Sequence, residues 1–190
     1  LTHISAYAVV RYVKPTNTGL GDGSSWANAS GNLQAMIYAS AAGDEVWVAS
    51  GTYKPDTYPA GCNGCSSPLD YTFHLQNMVK LYGGFAGTET LLNERDITAN
   101  ETILSGDFNG DDVITGSGNT LSITGNNENA RHVVITVSDN ADTVFDGFTV
   151  KGGKALNSGT GIFVEMENIH VGGGGGMYNK LSSLTINNIS

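Results

Sequence analysis

Short apolar runs separated by glycine, asparagine and aspartate fill the chain from residue 73 onward and constrain its fold more than any other feature. The runs lie at residues 78–82, 102–104, 132–137, 143–150, 162–164, 177–178 and 184–186. They are rich in valine, isoleucine, threonine and aromatic residues, a composition typical of β-strands. No helical periodicity links them, so we predict short strands joined by tight turns.

The composition points in the same direction and excludes some partners. Of the 190 residues, 26 are glycine and only 14% are charged, which favours turns over helices. Nine lysines and arginines against eighteen aspartates and glutamates give a net charge of −9. Because nucleic-acid binding and docking on anionic membranes both need basic patches, we expect neither. No apolar run approaches the roughly 20 residues of a transmembrane helix, so we expect no membrane insertion.

The chain divides into three segments of a single predicted domain. Residues 1–53 are expected to form an N-terminal cap and a first coil, where a coil is one turn of the chain around a common core. Residues 54–72 are expected to form an excursion loop, because their prolines exclude a central strand. Residues 73–190 then form the remaining coils. Residues 1–10 fit either the remnant of a processed signal peptide or a first strand.

Cys62 and Cys65 are the two cysteines of the chain and form one CxxC motif. Such a motif fits a local disulfide, a redox pair or half of a zinc site. No second CxxC follows, and no strand–helix–strand pattern of the thioredoxin type surrounds this one. We therefore favour a structural disulfide within the loop, with the other two readings left open.

An antiparallel sandwich and a β-solenoid both fit the spacing of the apolar runs. Glycines lie at the ends of several runs, at residues 83–84, 152–153 and 172–176. They favour the solenoid, because a coil bends sharply there and glycine adopts positive φ at little cost. Leu33, Met36 and Ile37 have the spacing of one helical face, and Gly43 can end that helix. Such a helix would cap the first coil.

A series of motifs in fixed order resembles one known family. The motifs are YVKP (12–15), GLGDGSSWANA (19–29), VWVASGTY (46–53), LYGGFAGTET (81–90), RD (95–96), TILSGD (102–107), HVV (132–134), DGFTV (146–150) and GGGMYN (174–179). Each is weak alone, but together they resemble the bacterial right-handed parallel β-helix repeat proteins, which include polymorphic outer-membrane repeat proteins and adhesin-like surface proteins. The resemblance implies an all-β, right-handed parallel β-helix with a short N-terminal capping helix.

The same resemblance implies a function outside the cell. Members of the family are secreted, are often held at the cell surface, and serve as structural or adhesive proteins. The resemblance transfers no catalytic motif, so we expect a non-enzymatic surface module that binds cell-surface glycans or further copies of itself, in filaments for example. The chain ends just after the first GGGMYN motif, where the family continues with more coils. We therefore expect it to be truncated, or a short member.

A calcium site is the best chemical candidate in the sequence. Asp107, Asn109 and Asp111 offer oxygen ligands at alternate positions, as calcium-binding loops do, and Asp112 follows them. The match is partial, because Asp112 stands where such loops have glycine and no glutamate follows six residues later. A polar turn without any ion is the competing interpretation.

The alternative function is a polysaccharide lyase or glycoside hydrolase. Asp139, Asp142 and Asp146 lie close in sequence, and paired carboxylates act in glycoside hydrolysis. Arg131 or Lys151 would supply the positive charge. An aspartate before glycine, as at position 146, is also a common turn residue.

Aromatic side chains of the excursion region provide a further candidate surface. Tyr53, Tyr58 and Tyr71 would bind glycans if they were exposed, because aromatic rings stack on the apolar faces of sugars.

Overall fold

The computed structural model describes residues 8–156, 159 and 161–190. These residues form a mostly β fold with one α-helix, α1 (Leu33–Ala39). The strands are β1 (Val10–Val13), β2 (Glu45–Ala49), β3 (Gly51–Tyr53), β4 (Phe73–His74), β5 (Lys80–Phe85), β6 (Thr102–Ser105), β7 (Val113–Thr115), β8 (Ser122–Thr124), β9 (Val134–Val137), β10 (Val144–Lys151), β11 (Ile162–Val164), β12 (Glu167–Ile169), β13 (Met177–Lys180) and β14 (Thr185–Ile189). In this part of the chain, no helix has the length and apolar character needed to cross a membrane.

The largest sheet is parallel and curls into half a barrel. Its order is β1-β2-β5-β10-β6-β3, and β14 also pairs with β10. Residues 144–146 of β10 pair with β5 and its last three residues pair with β6, whereas β14 pairs with residues 144–146 and 148. Gly147 lies between the segments that pair with β5 and β6, and its φ of 84° is a left-handed conformation that bends the strand. The bend lets one strand serve two differently oriented parts of the sheet.

The prediction of a right-handed parallel β-helix is wrong. Instead of repeated coils, the described chain has the curled parallel sheet and three smaller sheets, which are β13-β9-β4, β7-β8 and β11-β12. The β7-β8 and β11-β12 pairs are antiparallel. Runs of apolar residues with glycine at their ends specify strands and bends, but they do not specify which strands pair. That choice is made by contacts distant in sequence.

The core lies inside the curl of the large sheet. Its fully buried side chains include those of Val46, Leu81, Leu104, Phe145 and Phe148, one or two from each main strand. Helix α1 packs on β1 and β2 through Leu33 and Ile37. The helix ends at Ala39, four residues before the predicted Gly43.

Gln34 of α1 joins the helix to the smaller parallel sheet. Its Nε2 donates to the carbonyl oxygen of His74 at 2.9 Å, and its Oε1 accepts from the N–H of His74 at 2.9 Å. The amide therefore supplies the pair of hydrogen bonds that a neighbouring strand would make at the open edge of β4. Gln34 is 2% exposed, so no solvent replaces these bonds if they are lost.

We expect Gln34→Leu to destabilise the fold, because it leaves a buried N–H and a buried C=O of His74 without partners. Each unpaired group costs about 1–3 kcal/mol, so the expected loss for the two groups is roughly 2–6 kcal/mol in the free energy of unfolding. Urea denaturation followed by circular dichroism measures it. Gln76→Leu is the control, since Gln76 is half-buried and donates one bond, to Ser40. Equal losses in the two variants would contradict the role assigned to Gln34.

Candidate metal centre

Residues 107–129 form an excursion that leaves the fold after β6 and returns before β9. The N–H of Ala130 donates to the carbonyl oxygen of Gly106 at 2.8 Å and closes the excursion at its base. The β7-β8 hairpin lies within it. Closure brings residues from both ends of the excursion together. We call this place the neck, and it contains Asp107, Asp111, Asp112, Glu128 and Asn129.

Three carboxylates meet at the neck. Ligand oxygens of Asp107, Asp111 and Glu128 lie within 4.8 Å of one another. Calcium holds its oxygen ligands at about 2.3–2.6 Å, so two ligands of one ion are at most about 5 Å apart. A single calcium ion can therefore contact all three carboxylates.

Asp107 is held in place by the turn that it caps. Its Oδ1 accepts from the N–H groups of Gly110 at 2.5 Å and Asp111 at 3.3 Å, and its Oδ2 accepts from Asp112 at 3.2 Å. Partial burial opposes ionisation, but these donors and the charge of Lys54 outweigh it and lower the pKa of Asp107. The carboxylate is thus ionised at neutral pH, and Oδ2, which accepts a single hydrogen bond, keeps a lone pair for a cation.

Shielded oxygens beside the three carboxylates lack partners. Asn129, which is 4% exposed, donates from Nδ2 to Oδ2 of Asp112 at 2.8 Å. Within the described chain, no hydrogen bond reaches Asn129 Oδ1, Asp112 Oδ1 or Glu128 Oε1. Burying an acceptor without a donor is unfavourable. A single cation with several coordination positions can satisfy a number of such oxygens at once.

The neck contains only part of the ligand set expected from the sequence. Asp107 and Asp111 are in the cluster, Asn109 is exposed, and Oδ2 of Asp112 accepts from Asn129. Sequence reasoning missed Glu128, because its position far beyond the loop gives no spacing signal. Only the closure of the excursion brings it to the site.

A cavity of about 360 Å³ adjoins the neck. Its lining includes Asp107 and Asp112, two lysines, two hydroxyl side chains and one apolar residue, namely Lys54, Lys151, Thr52, Ser105 and Ile114. Nζ of Lys54 donates to the carbonyl oxygen of Phe108 at 3.0 Å, which fixes its charge beside the loop. Negative and positive groups therefore line one opening.

Asp142 and Asp146, which the sequence suggests as catalytic carboxylates, have surroundings that differ from those of the carboxylates at the neck. Asp146 is buried and accepts from Arg95 at 2.7 Å and from Asn188 at 2.8 Å, so both its oxygens are engaged. Asp142 is exposed, and its N–H closes a turn with the side chain of Asn140. Of the two basic candidates, Arg131 pairs with Asp70 and Lys151 lines the cavity at the neck.

The two cysteines of the predicted excursion loop and the three candidate tyrosines serve to hold the structure together. Cys62 and Cys65 form a disulfide that packs against the apolar side chains beneath the β11-β12 hairpin. Tyr53 is buried, and its hydroxyl donates to the carbonyl oxygen of Ala49 at 2.8 Å. Tyr58 and Tyr71 pack on each other with ring centres 4.9 Å apart and are half-buried.

Comparison with protein-family models, with curated proteins and with solved structures finds no match to this chain. The expected membership of the bacterial β-helix repeat proteins is therefore wrong, since neither a family match nor the strand arrangement supports it. The motifs that carried the resemblance are short strand-and-turn sequences. They occur as ordinary strands, turns and loops of the curled sheet and of the smaller β13-β9-β4 sheet.

Asp139 is a buried carboxyl group outside the neck. Its side chain follows β9 and is 2% exposed. Burial, together with the charge of Glu165, raises the pKa of Asp139 to about 7. The native state therefore holds a proton that the unfolded chain releases near pH 4.

We expect the free energy of unfolding to fall as pH rises from about 4 to about 7, because the native state binds more protons than the unfolded state in that range. Asp139→Asn removes this decline. The variant should match the wild type near pH 4 and exceed it by about 2–4 kcal/mol near pH 8, as measured by urea denaturation. Asp142→Asn, at an exposed position, is the control. A pH-independent difference between the Asp139 variant and the wild type would refute the raised pKa.

Proposed function

We propose that this chain is an extracellular, non-catalytic surface module that binds calcium at the neck and an acidic glycan in the adjoining cavity. The convergence of Asp107, Asp111 and Glu128 carries the proposal. Three carboxylates whose oxygens lie within 4.8 Å of one another repel one another, and Lys54 is held beside their loop by its hydrogen bond to Phe108. A bound divalent cation turns this repulsion into attraction.

The ligand chemistry favours calcium over transition metals. The donors at the neck are carboxylate and amide oxygens, which are hard ligands. Calcium accepts six to eight such oxygens in flexible geometry, whereas zinc prefers nitrogen and sulfur in a tetrahedral site. Asp112 and Asn129 have free oxygens nearby that can complete the shell directly or through water.

The Cys62–Cys65 disulfide supports a location outside the cell. Disulfides persist in oxidising compartments and are rare in the cytosol of most organisms. Both cysteines of the chain are in this bond. A surface-exposed module of structural or adhesive type fits that compartment.

The cavity favours an anionic, hydroxyl-rich ligand. Lys54 and Lys151 are two of only nine basic residues in a chain of net charge −9, and both line this cavity. Neither forms an ion pair with a carboxylate of the described residues. A uronate sugar can place its carboxylate on calcium and the lysines, and its hydroxyls on Thr52 and Ser105. Ile114 offers an apolar wall for the sugar ring.

Calcium is expected to stabilise the protein against heat. At a concentration 100-fold above Kd, the ion adds about 2.7 kcal/mol, which raises Tm by roughly 5–10 °C for a chain of this size. Glu128→Gln and Asp111→Asn should abolish the shift, measured by differential scanning calorimetry with calcium and with EDTA.

The control is Glu101→Gln, an exposed glutamate whose carboxylate accepts from Thr149 away from the neck. This variant should keep the full calcium shift. Without calcium, Glu128→Gln should be at least as stable as the wild type, because the like-charge repulsion is reduced. A calcium shift that survives Glu128→Gln would exclude the neck as the site.

Binding of polyuronate should require both calcium and the two lysines. We expect Lys54→Gln together with Lys151→Gln to weaken polygalacturonate binding at least tenfold, whereas Lys180→Gln, on β13, leaves it unchanged. Isothermal titration with polygalacturonate, neutral dextran and dextran sulfate measures this. Binding that persists in EDTA, or equal binding of dextran sulfate, would contradict calcium-bridged recognition of carboxylate.

A further inference from the structure

The turn between β11 and β12 has a strained backbone and carries a carboxylate. Glu165 and Met166 form this two-residue turn, with φ of 51° and 67°. Such turns usually contain asparagine or glycine, because other residues are strained at positive φ. Met166 is 94% exposed, so burial of its side chain does not compensate for the strain. Strain of this kind is concentrated at functional sites, which makes the position of Glu165 of interest.

The carboxylate of Glu165 lies next to a buried nitrogen of His74 on β4. Oε1 of Glu165 is 3.6 Å from Nε2 of His74, a separation that is too long for a hydrogen bond. The side chain of His74 is 3% exposed, and Nε2 has no hydrogen-bond partner among the residues that the structure describes. The side chain of Glu165 is 53% exposed and therefore accessible from solution.

The imidazole of His74 is uncharged at neutral pH, and its Nε2 can act as an acceptor. Burial lowers the pKa of His74 to about 4. Nδ1 lies 3.3 Å from the hydroxyl of Tyr38, whose oxygen accepts from the N–H of Ala60 at 2.8 Å. That oxygen has a second lone pair for Nδ1–H, and in this tautomer Nε2 carries the free lone pair of the ring. Nε2 then requires a donor that the surrounding protein does not supply.

A cavity of about 270 Å³ opens at these two side chains and is lined by Tyr38, Ala60, His74, Leu75, Gln76 and Glu165. These six residues include no lysine and no arginine. Gln76 already uses its Nε2 as a donor to the carbonyl oxygen of Ser40, at 3.2 Å. The lining therefore offers acceptors and one negative charge, but no cation.

We propose that this cavity binds a primary ammonium group between Glu165 and His74. Because Oε1 and Nε2 are 3.6 Å apart, one ammonium nitrogen can lie about 2.8–3.0 Å from both and donate to each. A neutral hydroxyl group has a single donor and cannot serve both acceptors. Partial burial raises the pKa of Glu165, and a cation beside the carboxylate opposes this effect.

The dimensions and charge of the surroundings define the ligand further. The cavity is slightly smaller than the roughly 300–1,000 Å³ of pockets for drug-sized ligands, so it suits a short carbon chain that ends in the ammonium group. Leu75 and the ring of Tyr38 provide apolar surface for that chain. With a net charge of −9, the protein attracts cations from solution. The site shares no residue with the neck, so it is independent of the proposed calcium and glycan binding.

Titration of the isotope-labelled whole chain with n-butylammonium chloride, followed by NMR, tests the site. Saturating calcium keeps the ammonium ion away from the carboxylates at the neck. We expect saturable shifts of the His74 imidazole Nε2 and of the Glu165 amide. Butan-1-ol lacks the charge and tetramethylammonium lacks N–H donors, so each should bind at least tenfold more weakly. Equal binding of either compound, or no shift with n-butylammonium, would overturn the proposal.

Glu165→Asn separates binding from folding. This variant removes the carboxylate and introduces a residue that tolerates positive φ, so it should be at least as stable as the wild type while its affinity for n-butylammonium falls at least tenfold. Met166→Asn is the matched control, since it relieves strain in the same turn and keeps Glu165. Its affinity should be unchanged, as should that of Glu128→Gln at the neck. Wild-type affinity in Glu165→Asn, equal losses in the two turn variants, or a loss only in Glu128→Gln would each refute the assignment.

Discussion

The pairing of β10 with three other strands is the interaction on which the rest of the molecule depends. Its first half joins β5 and its last three residues join β6, with Gly147 at the bend, and β14 pairs with it on both sides of Gly147. Because one strand holds both arms of the sheet, the core between them is enclosed. The buried phenylalanines 145 and 148 stand on either side of that bend and stack on each other at 4.7 Å. The neck directly follows β6 and so takes its position from this frame.

Local sequence predicts much of the β structure but not its assembly. The apolar runs at 143–150 and 102–104 coincide with β10 and β6, and the helical spacing around Leu33 coincides with α1. Such signals depend on neighbours two to four residues away. Pairing depends on residues far apart in sequence, as between β10 and β5, and short strands with glycine bends fit several arrangements. The β-helix was one such arrangement, and the curled sheet is another.

The same distinction between local and distant contacts applies to the residues of the candidate site. Asp107 and Asp111 are visible in sequence because they lie within one loop. Glu128 and Asn129 join them only through the closed neck, which no spacing signal in the sequence indicates. For Asp146, by contrast, the sequence context suggests a catalytic role that its neighbours do not leave open. Arg95 and Asn188, both distant in sequence, occupy its oxygens, so it stabilises the sheet instead.

The neck has a consequence for how the protein can vary. Residues 107–129 contribute no strand to the curled sheet. The backbone hydrogen bond from Ala130 to Gly106 closes the base of this segment. Insertions and replacements are best tolerated where the affected backbone carries few bonds to the rest of the fold. This position therefore behaves as a natural grafting point. Different ligand specificities can be installed there by exchanging one loop, while the sheet that carries it keeps its own sequence.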